Sequence, residues 1–212
     1  MSKLRITVIT ISAITFLFLS YIVLVYGITN FDTTISVFIQ SFRNPALNEI
    51  MKVITYLGNW QSIVILSAIL ISISSTRTTL GIPIGVLCLI STILNEVLKT
   101  TFARERPAEI DRLVHASGFS FPSGHSMTGL VFFGLLIILL NRNIIKNRSA
   151  SIIVTGLLSI LILFIGISRI YLGVHYPTDV ISGFAAGLSL ISLLEPATNS
   201  FSSNYIRNKG KF

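Results

Sequence analysis

Six apolar runs, at roughly 6–27, 59–76, 79–100, 122–141, 150–170 and 178–195, constrain this chain of 212 residues more than any other feature. Each is near the ~20 residues that carry a helix across a bilayer core. In hydrocarbon every backbone polar group must find its partner within the chain, so runs of this length fold as helices. Charged residues make up only 11% of the chain, against roughly 25% in soluble domains. The expected fold is therefore all-α: an integral membrane bundle of six transmembrane helices, one domain over residues 1–212. The runs leave no room for a separate soluble domain, and there is no internal repeat or low-complexity segment.

Lys3 and Arg5 precede the first run as they would in a secretory signal. The run is too long for such a signal's apolar core and no A-x-A-like site follows it, so a retained signal-anchor is expected. The net charge of +8 raises nucleic acid as a partner, but its placement argues against one. With the N-terminus inside, Lys3, Arg5, Arg77, Arg142, Lys146, Arg148, Arg207, Lys209 and Lys211 all fall in cytoplasmic segments, as the positive-inside rule requires. Arg43, Lys52, Arg104 and Arg112 fall outside. The single cysteine, Cys88, lies within a run, which rules out an internal disulfide.

Between the first two runs the pattern changes. Phe31, Ile35, Phe38, Ile39 and Phe42 share one helical face. Asn44-Pro45 then reads as a cap and first-turn proline, and Leu47, Ile50, Met51, Ile54 and Leu57 repeat the pattern until Gly58-Asn59. These are expected to be short amphipathic helices in the outer interface, guiding a lipid or covering the bundle. Tyr26, Tyr56, Trp60, Tyr171 and Tyr176 fit an aromatic belt at that boundary. Gly183 and Gly187 form a GxxxG pair suited to close packing within the bundle or to dimerisation, with packing the expected use.

The chemistry gathers in three blocks: Lys99-x6-Arg106-Pro107, Pro122-Ser123-Gly124-His125, and Ser168-Arg169-x5-His175-x3-Asp179. The six-span topology places all three on the outer face. Pro177 suits the first position of a helix, with His175 just before it and Asp179 in its first turn. A carboxylate accepting from Nδ1–H of His175 fixes the tautomer and leaves Nε2 free to attack phosphorus. Ser123 and Gly124 open a helix whose free N–H groups suit an anion, and His125 can protonate a departing oxygen. Lys99, Arg106 and Arg169 supply three cations for one phosphoryl group. Glu96 is expected to pair with Lys99 or Asn95 inside the bundle. Glu105, Glu109, Asp111 and His115 are expected in a solvated outer loop, where His115 can touch a headgroup.

These blocks, in this order, resemble the type 2 phosphatidic acid phosphatase family, which is related to the vanadium haloperoxidases. The stretches 44–57 and 114–127 look like bacterial phosphatidylglycerophosphate phosphatases of that family. The resemblance implies a membrane lipid phosphatase with His175 as nucleophile, His125 as acid and Asp179 as the orienting carboxylate. Lys99, Arg106, Ser123, Gly124 and Arg169 would then bind the substrate phosphate. It also implies no metal or other cofactor, in line with a motif set that has one carboxylate where a two-metal site needs a cluster. Expected partners are a lipid phosphate and the membrane lipids, with no nucleic acid and an open oligomeric state. Phosphatidylglycerophosphate and undecaprenyl pyrophosphate both fit the cradle, at the outer side of a bacterial plasma membrane. A transporter would place its site near the midplane instead, and a phosphate binder would not need His125 and His175 together.

Overall fold

A computed structural model describes residues 2–209, with side chains for residues 2–198. Lys211 and the side chains of Arg207 and Lys209, assigned above to the cytoplasmic end, lie outside the described residues. The helices are α1 (Lys3–Tyr26), α2 (Asn30–Gln40), α3 (Pro45–Leu57), α4 (Trp60–Ser72), α5 (Ile82–Phe102), α6 (Gly124–Asn143), α7 (Arg148–Tyr171) and α8 (Pro177–Lys209). A π-helical turn, Arg77–Gly81, leads into α5.

The helix starts follow local chemistry. Ser2, Thr29, Asn44, Asn59, Ser123 and Asn147 each cap a helix by accepting a backbone N–H. Thr29 and Asp32 form a reciprocal capping box on α2. Pro45 and Pro177 occupy first-turn positions, as expected.

Among the described residues, five helices are individually long and apolar enough to cross a membrane. The second expected span is corrected. The helix there, α4, has 13 residues, about 20 Å at 1.5 Å per residue, against a hydrocarbon core of ~30 Å. It joins α3 through a 51° bend at Gly58-Asn59, and the pair together makes the sixth candidate span. Helix α3 is thus half of a bent candidate span as well as the amphipathic helix expected over 44–57.

Helix α6 is the bundle's centre. Met127, Val131, Phe132, Leu135 and Leu139 are all buried, and α5, α7 and α8 surround it. Helices α1 and α7 turn large apolar residues outward, among them Leu17, Phe18, Leu24, Ile153, Leu157 and Ile160. Lipid tails are the solvent such faces suit. The GxxxG pair packs inside the bundle: a Cβ on Gly183 would stand 2.6 Å from the Ser123 carbonyl oxygen, and one on Gly187 2.8 Å from that of Met127. Helix α8 therefore lies backbone to backbone against α6.

At the end of the bundle away from the motifs, α8 contains Pro196, which has no N–H for the Ser192 carbonyl. Arg5 Nε of α1 donates to that carbonyl, and Nη2 donates to Leu193 O at 3.4 Å. Arg142 of α6 pairs with Glu195 beside it.

Several aromatic assignments change. Tyr26, Tyr56 and Trp60 are exposed as a belt requires, but Tyr171 is buried and donates to Asn48 Oδ1 at 2.7 Å. Tyr176 lies over the Arg104 guanidinium, 4.4 Å from ring centroid to Cζ. On α2, Phe31, Phe38 and Phe42 are exposed while Asp32 is the fully buried residue. Cys88 is free and sits in the core.

Candidate active site

Two loops and four helix ends meet at the motif end of the bundle. The turn from α7 to α8 carries His175. Gly173 makes it possible, with φ +76 and no room for a side chain: a Cβ would fall 2.4 Å from Asp111 O. Arg43 Nε and Nη2 donate to Tyr171 O at 2.9 and 2.7 Å, and Leu113 N donates to Leu172 O at 2.9 Å. The turn is thereby fixed to the connection between α2 and α3 and to the loop that follows α5.

That loop, 103–123, is pinched at its base. Ala103 ends α5 in the left-handed conformation, φ 46. Ser120 N then donates to Arg104 O at 2.8 Å, so the loop's two ends lie side by side. Both ends reach Asp179. Ser120 Oγ donates to Oδ2, and Arg104 Nη1 donates to Oδ1. Asp179 Oδ2 also accepts the Tyr176 N–H at 2.8 Å, the reach-back of a residue in a helix's first turn.

His175 is buried among these groups. Nδ1 stands 3.4 Å from both Asp179 Oδ2 and Ser120 Oγ. Arg106 Nη1, a donor only, stands 3.1 Å from Nε2. This network assigns the Nδ1–H tautomer, with the Nε2 lone pair toward the cleft. Burial, then Arg106, Arg169 and Lys99, hold the imidazole well below its ordinary pKa, so it is neutral where a free histidine begins to charge.

The cleft in front of Nε2 has a volume of about 620 Å³. Lys99, Arg106, Gly124, His125, Arg169 and His175 all line it, so residues from all three sequence blocks share one cavity. Arg106 makes four hydrogen bonds to three backbone carbonyls: Nη1 donates to Val174 O at 2.8 Å, Nε to Ser117 O and Gly118 O, and Nη2 to Ser117 O. Arg169 uses Nη1 on Thr55 Oγ1 at 2.6 Å, while its buried Nε has no partner. Among the described residues, no hydrogen bond engages the His125 imidazole or the Lys99 ammonium. The remaining wall comes from the α3–α4 elbow, including Lys52, Tyr56, Trp60 and Gln61, and from His115.

Ser123 is placed behind this wall. It is fully buried and caps α6, accepting from Ser126 N at 3.4 Å and Ser126 Oγ at 3.0 Å. Gly124 faces the cleft, pressed against Asn95, whose amide donates to Pro122 O at 3.2 Å. Glu96 is exposed on α5 and is not paired inside the bundle with Asn95. Glu105, Glu109, Asp111 and His115 are exposed, as expected. Among the described residues, no three His, Cys, Asp or Glu side chains cluster as metal ligands would.

Sequence reasoning missed Arg104, Ser120 and Asp32. Arg104 is expected on the outer side beside the motif cations, but the sequence gives it no part in the site; its side chain is 5% exposed and pairs with both Asp179 and Asp32. The Thr29-x-x-Asp32 spacing announces a helix cap; nothing in it announces a contact with residues 104 and 178.

The PAP2 superfamily profile matches residues 80–199. The chain belongs to the PAP2 superfamily. It is 36% identical over 188 residues to phosphatidylglycerophosphatase B of Bacillus subtilis, spanning 85% of this chain and 89% of that one. It is 29% identical over 187 residues to an undecaprenyl-diphosphatase of Sulfolobus acidocaldarius, spanning 84% and 85%. The crystal structure of a transmembrane PAP2 type phosphatidylglycerolphosphate phosphatase from Bacillus subtilis superposes with a TM-score of 0.80 at 32% identity. That match covers 91% of this chain and 96% of that one. The chain is thus a multi-pass membrane protein with the fold of this superfamily.

Proposed function

We propose that this protein removes the terminal phosphoryl group of phosphatidylglycerophosphate at the outer face of a bacterial plasma membrane, leaving phosphatidylglycerol. As a member of its superfamily it is a phosphatase; the substrate, the side of the membrane and the residue roles belong to this proposal. The observation that carries it is the buried His175, its Nε2 at a cleft that also holds His125, Lys99, Arg106 and Arg169.

The reaction runs in two displacements. Nε2 of His175 attacks phosphorus in line, the bond from phosphorus to the lipid oxygen breaks, and His125 gives that oxygen a proton. The lipid leaves as an alcohol, with phosphate held on His175. His125, now neutral, takes a proton from water as the water attacks phosphorus, and inorganic phosphate departs. Lys99, Arg106 and Arg169 neutralise the charge on the phosphoryl oxygens, together with the Gly124 backbone at the α6 start. The phosphate oxygens take over Arg106 Nη1 from His175, which frees Nε2 for attack. Asp179 holds the Nδ1 proton throughout.

Undecaprenyl pyrophosphate remains the second reading, supported by a cradle of three cations that suits a pyrophosphate equally. The two are separated by assaying phosphate release by the purified protein on each lipid in parallel, with His175→Ala as control and one arm in excess chelator. Release from phosphatidylglycerophosphate is expected to dominate, to persist with chelator and to vanish in the variant. Preference for the isoprenoid pyrophosphate would replace the substrate; activity surviving in His175→Ala would overturn the mechanism.

A further inference from the structure

Asp179 belongs to a buried charge network that reaches well beyond the three blocks. Arg104 sits between two carboxylates, Asp179 on one side and Asp32 on the other. Its Nη1 donates to Asp179 Oδ1 and to Thr178 Oγ1 at 2.7 Å; its Nη2 donates to Asp32 Oδ2 at 2.7 Å and to Gly27 O at 2.9 Å. Thr178 closes the ring, donating to Asp32 Oδ1 from its backbone N at 3.0 Å and from its hydroxyl at 2.8 Å. Both carboxylates are fully buried. Asp32 lies on α2, outside the residues matched by the superfamily profile.

Two features make this more than a structural tie. First, Arg104 takes Oδ1 of Asp179 and leaves Oδ2 to the His175 side, where Ser120 and Tyr176 N also bind. The guanidinium fork therefore sets the rotation of the carboxylate. Second, the charges are arranged −, +, −. With Asp32 present, Arg104 is already matched and the cluster keeps a net negative charge. Without Asp32, the full charge of Arg104 would fall on Asp179 alone and cancel it.

We propose that Arg104 and Asp32 are positioning residues for the phosphoryl transfer: Arg104 aims Asp179 at His175, and Asp32 balances Arg104 so that Asp179 keeps its charge for His175. The inference rests on the phosphatase reading of this site, and it assigns to α2 a part in the chemistry rather than in lipid guidance or cover. Charge develops on His175 when Nε2 bonds to phosphorus, and a buried anion beside Nδ1 stabilises that charge most in the transition state.

The test is Asp32→Asn in the full-length protein, which keeps the shape and removes the charge. kcat is expected to fall about tenfold with KM within about twofold, because substrate phosphate meets Lys99, Arg106 and Arg169 rather than Asp32. The titration of His175, followed by ¹⁵N NMR of the histidine-labelled protein, should move to lower pH, since loss of a nearby anion disfavours the imidazolium. The other groups facing His175 are Asp179 of α8, Arg106 of the loop, Arg169 of α7, Lys99 of α5 and His125 of α6. All are unchanged in the variant. Should Asp32→Asn fail to fold, Thr178→Val removes the hydroxyl shared by Arg104 and Asp32 and should shift both readouts in the same directions by less.

Unchanged kcat and unchanged His175 titration in a folded variant would overturn the proposal, as would lost activity without movement of the titration, the mark of a purely structural role. If the wild type releases no phosphate from any lipid, the phosphatase reading falls. The NMR comparison still decides whether Asp32 acts on His175.

Discussion

On the proposed mechanism His175 attacks only while its Nε2 lone pair is free, so the direction of its titration sets the pH range of activity. Burial and three cations hold it below the ordinary histidine value of 6.5. The sign follows directly: between 6.5 and the lowered value a free histidine is charged while His175 stays neutral and able to attack. With three histidines in the chain, ¹⁵N NMR resolves it once His175→Asn removes its signal. At pH 6.5 the neutral Nδ1–H tautomer is expected; a protonated ring, or the Nε2–H tautomer, would contradict the network. At this scale the sequence blocks were informative, because His175, Asp179 and Pro177 are local to one helix start. Arg104 and Ser120 were not legible. They lie sixteen positions apart, and only the hydrogen bond at the base of their loop brings both to Asp179.

Among the elements, α6 and α8 bear most directly on the site. Their close approach at Gly183 presses against Ser123, and Ser123 N donates to Asp179 O at 3.0 Å, linking two of the blocks through backbone alone. Gly183→Ala should force the helices apart, costing about 1–3 kcal/mol as overpacking does, and lower both melting temperature and activity. Gly156 on α7 makes the matched control, since a Cβ there meets nothing within 4 Å. Gly156→Ala should raise stability by about 0.5–1 kcal/mol and leave kcat alone. Equal melting temperatures for the two variants would sink the packing argument. Helix positions were readable from hydropathy and caps, to within a few residues at most ends. The α3–α4 elbow was not, because a 13-residue helix and its amphipathic neighbour resemble one interfacial helix followed by one span until their angle is known.

For the whole molecule, the proposed outward-facing site has a direct test. Glu109 lies on the loop beside the site, and Lys146 lies between α6 and α7 at the opposite end. Because Cys88 is buried, single cysteines at these positions report cleanly. Glu109→Cys should react with a membrane-impermeant maleimide on intact cells, and Lys146→Cys only after permeabilisation. The reverse pattern would move the site to the cytoplasmic side. The sequence by itself determined the membrane-spanning helices, the shared end of the three blocks and the residue types for phosphoryl transfer. All of these depend on hydropathy and on neighbours within a helical turn or two. Tertiary structure alone decided the bent span, the burial of Arg104 and its bond to Asp32. Asp32 and Asp179 are 147 positions apart, and no local pattern can say which distant charges will share one guanidinium. That choice belongs to the packing of α2 against the start of α8.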